Sequence, residues 1–196
     1  MVVRKTIQIG NPALKAINAE IVDFSDSKLH ELIQDLTDTM HDKELVGIAA
    51  PQIGENYKVF ITEPRETKTR SKDQADELRV YINPKIVDQS TEKVVIYEGC
   101  GSVESGQLFG PVERPKMITV EALSINSKKF RFTADGILGR VIQHEVDHLN
   151  GIEFLVKVVN QSKMLALEQY LEQIKPDPKY NEVLKIAIKE IRYLSY

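Results

Sequence analysis

The 196-residue chain has one cysteine and no tryptophan, and aromatic residues make up only 7% of it. A single thiol, Cys100, excludes any disulfide within the chain, so the fold must rest on its apolar core. No run approaches the ~18 apolar residues of a membrane span. Arg4 and Lys5 have no apolar stretch behind them, so no secretory signal is legible between Met1 and Gly10. Basic residues are outnumbered 26 to 29, which leaves a net charge of −3 and no basic footprint for nucleic acid. No internal repeat and no interdomain linker can be found. What remains is an ordinary globular composition, 42% hydrophobic, at the length of one domain. The expectation is one domain over 1–196 in the cytoplasm, with no membrane and no nucleic-acid partner.

The pattern of apolar residues predicts an α+β fold. Leu29, Leu32, Ile33, Leu36 and Met40 recur at helical spacing, which predicts a helix over 26–41 capped by Asp26 or Ser27. Short strands are expected over 58–62, 79–82, 85–88, 93–97, 117–125 and 128–133, the last two joined by an Asn126-Ser127 turn. Residues 63–77 are dense in charge without periodicity and read as an exposed, solvated loop. Thr133 is expected to cap a second helix that runs to about Leu149 and stops at Asn150-Gly151. A helical C-terminal segment is expected over 162–196. Its first helix, 162–174, carries Met164, Leu167, Leu171 and Ile174 on one face; its tail is helical from Asn181, though Leu184, Ile186 and Ile188 also alternate like a strand.

The second helix carries the chemistry. His144-Glu145-Val146-Asp147-His148 puts two imidazoles one turn apart on a stripe that begins at Ile137 and Val141, where both can grip one ion. Glu145 stands beside the first of them, where it can accept a proton from a water on that ion. With only four histidines in the chain, chance would give this motif in fewer than about one in a hundred such sequences. The third ligand is open. A metzincin would need a third His where Phe154 stands, which excludes that class. Glu168 or Glu172 on a following helix could serve in a thermolysin-like arrangement, and Cys100 in Glu98-Gly-Cys-Gly-Ser102 could serve as a thiolate.

Three motifs in order carry a resemblance. Gly47-Ile-Ala-Ala-Pro-Gln52, then Glu98-Gly-Cys-Gly-Ser102, then Gln143-His-Glu-Val-Asp-His148 are similar to the three motifs of the peptide deformylase family. The likeness continues through Tyr81-Ile-Asn-Pro84, Thr133-Ala-Asp-Gly136 and Asp147-His-Leu-Asn-Gly151, and covers the chain from about Ile7 to Phe154. It implies one catalytic domain of short, mostly antiparallel strands around a central metal-binding helix. It also implies that Cys100, His144 and His148 hold a divalent ion, natively Fe2+, with Zn2+ or Ni2+ able to replace it. The implied reaction is hydrolysis of the formyl group from the initiator formyl-methionine of nascent polypeptides, met at the ribosome exit, with release of formate. In it Glu145 is the general base, and the Gln52 amide and the Gly101 N–H meet the oxyanion. Val46, Tyr97 and Val141 are the candidates for the methionine pocket, and Gly47 lets the peptide backbone approach. The chain departs from the family pattern at Leu45, where a second Gly usually stands, and at Gly101, where Leu usually stands. It also departs at Glu104-Ser105-Gly106, where a Pro-containing continuation is common. The rival readings are a zinc endopeptidase on the same helix and a catalytically silent relative that keeps the metal for stability.

Overall fold

The computed structural model describes residues 2–194; Met1 and the last two residues of the expected 162–196 segment lie outside the described residues. In chain order the elements are α1 (Ser27–Asp42), β1 (Gly47–Ala49), β2 (Val59–Thr62), β3 (Arg79–Gln89), β4 (Lys93–Gly99) and β5 (Leu108–Pro115). They continue with β6 (Ile118–Leu123), β7 (Lys129–Ala134), α2 (Gly136–Leu149), β8 (Leu165–Ala166), α3 (Leu167–Gln173), α4 (Pro178–Leu184) and β9 (Lys189–Tyr193). Every pairing between these strands is antiparallel. Six strands form one sheet in the order β1-β2-β3-β6-β7-β9, and three form a second in the order β4-β5-β8.

Strand alternation decides the layering. In β1 and β2, Ile48, Val59 and Ile61 face the Leu29, Leu32, Leu36 and Met40 stripe of α1, while Ala49 and Phe60 face Leu138, Ile142 and Leu149 of α2. Val59-Phe60-Ile61-Thr62 is buried throughout because helices cover both faces of the sheet. On the α2 side Phe60 and Tyr81 stack at 4.4 Å, with Phe130 and Phe132 tilted beside them. A separate small cluster, Cys100, Val103, Val112 and Phe154, joins the second sheet to the histidines, since the Phe154 and His144 rings lie 6.1 Å apart. The helix thus sits centrally, as expected.

Several expectations change. Strands over 79–82 and 85–88 are one strand, β3, continued through an irregularity at Asn83 (φ 50°), whose side chain bridges both backbone groups of Ile21. Strand β5 is unforeseen because Pro111 and Pro115 argue against one; β8 pairs only with Leu108 and Phe109, and beyond them the Val159 N–H donates to the Pro111 carbonyl, so no N–H is needed from the proline there. The cap position of α2 is Asp135, not Thr133, which lies in β7 with its hydroxyl 3.0 Å from that of Thr119. The C-terminal segment is only partly helical. Residues 165–166 pair with β5, so α3 starts at Leu167, and Pro178 opens α4 with Asp177 as its cap. The helix expected from Asn181 holds only to Leu184, the end of α4; the tail then returns as β9 on the edge of β7, a strand that begins after the alternating Leu184, Ile186 and Ile188. Residues 63–77 form a loop, exposed at 66–69, 71–73 and 77 as expected, but it is anchored: Gln74 is buried, and the Asp76 side chain is fully covered between Arg79 and Lys189. No helix among the described residues is long and apolar enough to cross a membrane.

Candidate active site

Helix α2 starts at Gly136, where only glycine fits. Its φ is 56°, and a β-carbon there would stand 2.0 Å from the Lys185 carbonyl oxygen. One step before it, Asp135 accepts the N–H groups of Ala187 and Ile188, both at 2.8 Å. From this fixed start the helix carries Val141, His144, Glu145 and His148 inward, all buried. The two imidazole rings are 4.9 Å apart. Cys100, in the turn after β4, brings its Sγ to 3.1 Å from His148 Nε2. The ligating atoms of Cys100, His144 and His148 lie within 4.8 Å of one another. Glu168 and Glu172 are exposed on α3 and do not join this cluster, so the acidic third ligand is excluded.

The charges agree with a metal site. Burial opposes a thiolate at Cys100, yet His148 and His144 hold its pKa well below the usual thiol range. Burial also opposes charge on His144, but Cys100 and Glu98 push its pKa well up. One thiolate and two imidazoles in contact suit a divalent first-row ion with a position left open, and these three residues would hold it. His144 is fixed by its other nitrogen, Nδ1, 2.9 Å from the Glu98 carboxylate. Glu98 is in turn gripped by Arg114 through two bonds of 2.6 and 2.9 Å and by Arg140 at 2.8 Å. Against burial, these partners keep Glu98 ionised far below the usual carboxylate range. Arg114 reaches on to Asp147 at 2.5 Å.

Cys100 and His144 open onto a cleft of about 840 Å³. Its wall contains every further residue that the sequence singled out: Val46, Gly47, Gln52, Tyr97, Gly101, Val141 and Glu145. Glu145 is buried, and its Oε2 has no hydrogen-bond partner among the described residues. Burial raises its carboxyl to about 7, against the pull of His144 and His148. Gln52 is oriented by the Ala49 N–H, which donates to its Oε1 at 2.8 Å and turns the amide nitrogen toward Cys100 Sγ and Ser102 Oγ. The Gly101 N–H finds no acceptor among the described residues. Gly47 is a close approach: a β-carbon there would meet Val141 at 2.5 Å and Glu145 at 2.8 Å.

The sequence did not reveal the parts that join distant elements. Glu98 stood inside a recognised motif, but its arginines lie 16 and 42 residues away, with no spacing rule to connect them. Tyr170, Tyr180 and Leu184 also line the cleft, from the C-terminal segment. The Tyr180 hydroxyl takes the Tyr97 N–H at 3.2 Å, and the Tyr170 ring stacks on Phe109 at 4.3 Å.

With this geometry in place, likeness to known proteins becomes informative. Residues 3–164 match the family described as Polypeptide deformylase. A peptide deformylase of Dictyoglomus turgidum is 37% identical over 157 residues, 80% of this chain and 94% of that protein. One of Natranaerobius thermophilus is 38% identical over 155 residues, 79% and 92% of the two chains. The Met-Ala-Ser-bound crystal structure of a class I type b peptide deformylase from Acinetobacter baumannii superposes with a TM-score of 0.74 at 34% identity. That match covers 80% of this chain and 99% of the other.

Proposed function

Because this chain belongs to the polypeptide deformylase family, we propose that Cys100, His144, His148 and Glu145 carry out the family's reaction: hydrolytic removal of the formyl group from the N-terminal methionine of new polypeptides, with release of formate. The single observation that carries the assignment of roles is the unpartnered Oε2 of buried Glu145 in the cleft wall, one position from His144. An acceptor so placed, with its carboxyl raised to about 7, is matched to proton transfer near neutral pH.

Cys100, His144 and His148 would hold one divalent ion, which when bound supplies Lewis acidity and lowers the pKa of water. Glu145 Oε2 accepts a proton from the attacking water and passes it to the departing amine. The Gln52 Nε2 and the Gly101 N–H donate to the oxygen on which negative charge develops, and both are positioned before the substrate arrives. Glu98, held by Arg114 and Arg140, keeps His144 from turning. Val46, Tyr97 and Val141 provide apolar wall for the methionine side chain, and Gly47 leaves room for the peptide backbone. We further propose Fe2+ as the native ion, since a thiolate with two imidazoles accepts it along with Zn2+ and Ni2+. We also propose that the reaction takes place in the cytoplasm, on nascent chains at the ribosome exit, a reading supported by the family's formylated nascent-peptide substrates.

The test is formate release from formyl-Met-Ala-Ser by anaerobically purified protein, with metal measured on the same sample. About one ion per chain and steady formate production are expected. Folded, metal-replete protein that releases no formate would refute the reading.

A further inference from the structure

Three cations in the cleft wall, Lys68, Arg70 and Lys175, have no ion pair among the described residues; Lys68 is exposed to water, and the other two are not. Arg70 ends a short turn in which Thr67 and Arg70 pair across a bridge, and its guanidinium donates only to the Arg65 carbonyl, at 3.0 Å. Lys175 follows α3, and its ammonium has no partner among the described residues; burial and Arg70 are what act on it. Both are half-buried and both line the same cleft as Cys100 and Glu145. The neighbouring cations differ: Arg65 is paired with Glu63 at 3.4 Å, and Arg140 with Glu98 at 2.8 Å. The carboxylates of the wall are no help, because Glu98 is fully engaged, Glu145 is the proton acceptor and Glu44 is exposed to water.

Electrostatics says the pair is waiting for an anion. Burial disfavours the charge on Arg70, and burial together with Arg70 pushes Lys175 down to about 8. Two like charges, partly desolvated and within each other's field, carry a cost that a bound anion removes. Their position relates them to the reacting centre. Arg70 acts on the Tyr170 hydroxyl; the Tyr170 ring stacks on Phe109; and Phe109 covers Gly99, next to Cys100. Lys175 and Tyr170 lie beyond residues 3–164, the part that the family model matches.

We infer that Arg70 and Lys175 form a carboxylate-binding subsite, so that the preferred substrate is a formyl-methionyl peptide bearing a carboxylate downstream of the formylated residue. The inference rests on the deformylase reading for the identity of the peptide. The carboxylate has two sources, the free C-terminus of a short peptide or an Asp or Glu side chain of a longer one.

Calorimetric binding of Met-Ala-Ser and its C-terminal amide, and of Met-Ala-Glu-amide and Met-Ala-Gln-amide, separates these sources. Formate release from the formylated forms is recorded alongside. At least one acid should bind roughly 10-fold tighter than its neutral partner, the size of one charge-assisted contact. The same ratio should appear in KM. Arg70→Gln and Lys175→Gln should collapse that ratio, Arg70→Lys should largely keep it, and Lys175→Glu should turn it toward a lysine-bearing peptide. The ratio is read within each variant, so a general loss of activity does not disturb it. Equal binding of acid and neutral peptides by the parent, or an undiminished ratio in both Gln variants, overturns the subsite. An acid preference in binding without any formate would instead uphold the subsite and overturn the deformylase reading.

Discussion

Leu45 and Gly101 are the two places where single residues depart from the family pattern, and they meet in the structure. A β-carbon on Gly101 would stand 3.0 Å from Leu45 Cδ1, so the leucine at 45 fills the space that a side chain at 101 would need. Read singly, each departure looks like damage to the substrate wall; together they keep its volume. The sequence could not show this, because the partners are 56 positions apart on different elements. The pair predicts strong coupling. Gly101→Leu alone should overpack the wall and cost ~1–3 kcal/mol of stability along with activity. Leu45→Gly alone should loosen it. The double variant should recover much of both losses, with a coupling of ~1 kcal/mol or more in a thermodynamic cycle. Additive effects in denaturant titrations would show that the residues do not compensate each other.

At the scale of elements, the metal helix was legible and its supports were not. The His144 and His148 spacing, the apolar stripe and the Asn150-Gly151 stop are local signals, and the chain follows them. Residues 63–77 and the C-terminal segment obey long-range pairing, which periodicity cannot carry. Asp76 is the clearest case, since it ties the end of the 63–77 segment to Arg79 in β3 and to Lys189 in β9. Burial works against its charge, but Arg79 and Lys189 prevail and hold its pKa below the usual carboxylate range. A depressed folded-state pKa means that ionised Asp76 stabilises the protein above about pH 4, and that this contribution drains away as pH falls further. Asp76→Asn should therefore cost ~2 kcal/mol at neutral pH, discounted for the half-exposed Lys189. The gap between parent and variant in urea titrations should narrow below about pH 4. A gap that stays constant with pH would mean that the carboxylate's charge does not secure the segment.

On the scale of the whole molecule, the site is assembled from parts far apart in the chain: β1 and its following turn, the turn after β4, helix α2 and the C-terminal wall. The three motifs could be read in advance because each is short and chemically dense. Their convergence is produced by a sheet whose two faces are both covered, which fixes α2 against β1 and against Cys100. The proposed mechanism divides the labour: three residues would hold the ion, two donors would meet the oxyanion, and Glu145 would move the proton. Metal content and formate release measured together on purified Glu145→Ala test that division most directly. The account predicts a folded protein with about one ion per chain and turnover reduced by at least ~10²–10⁴-fold, the usual contribution of a positioned base. Formate release near the parent rate, or loss of the ion with the side chain, would contradict it.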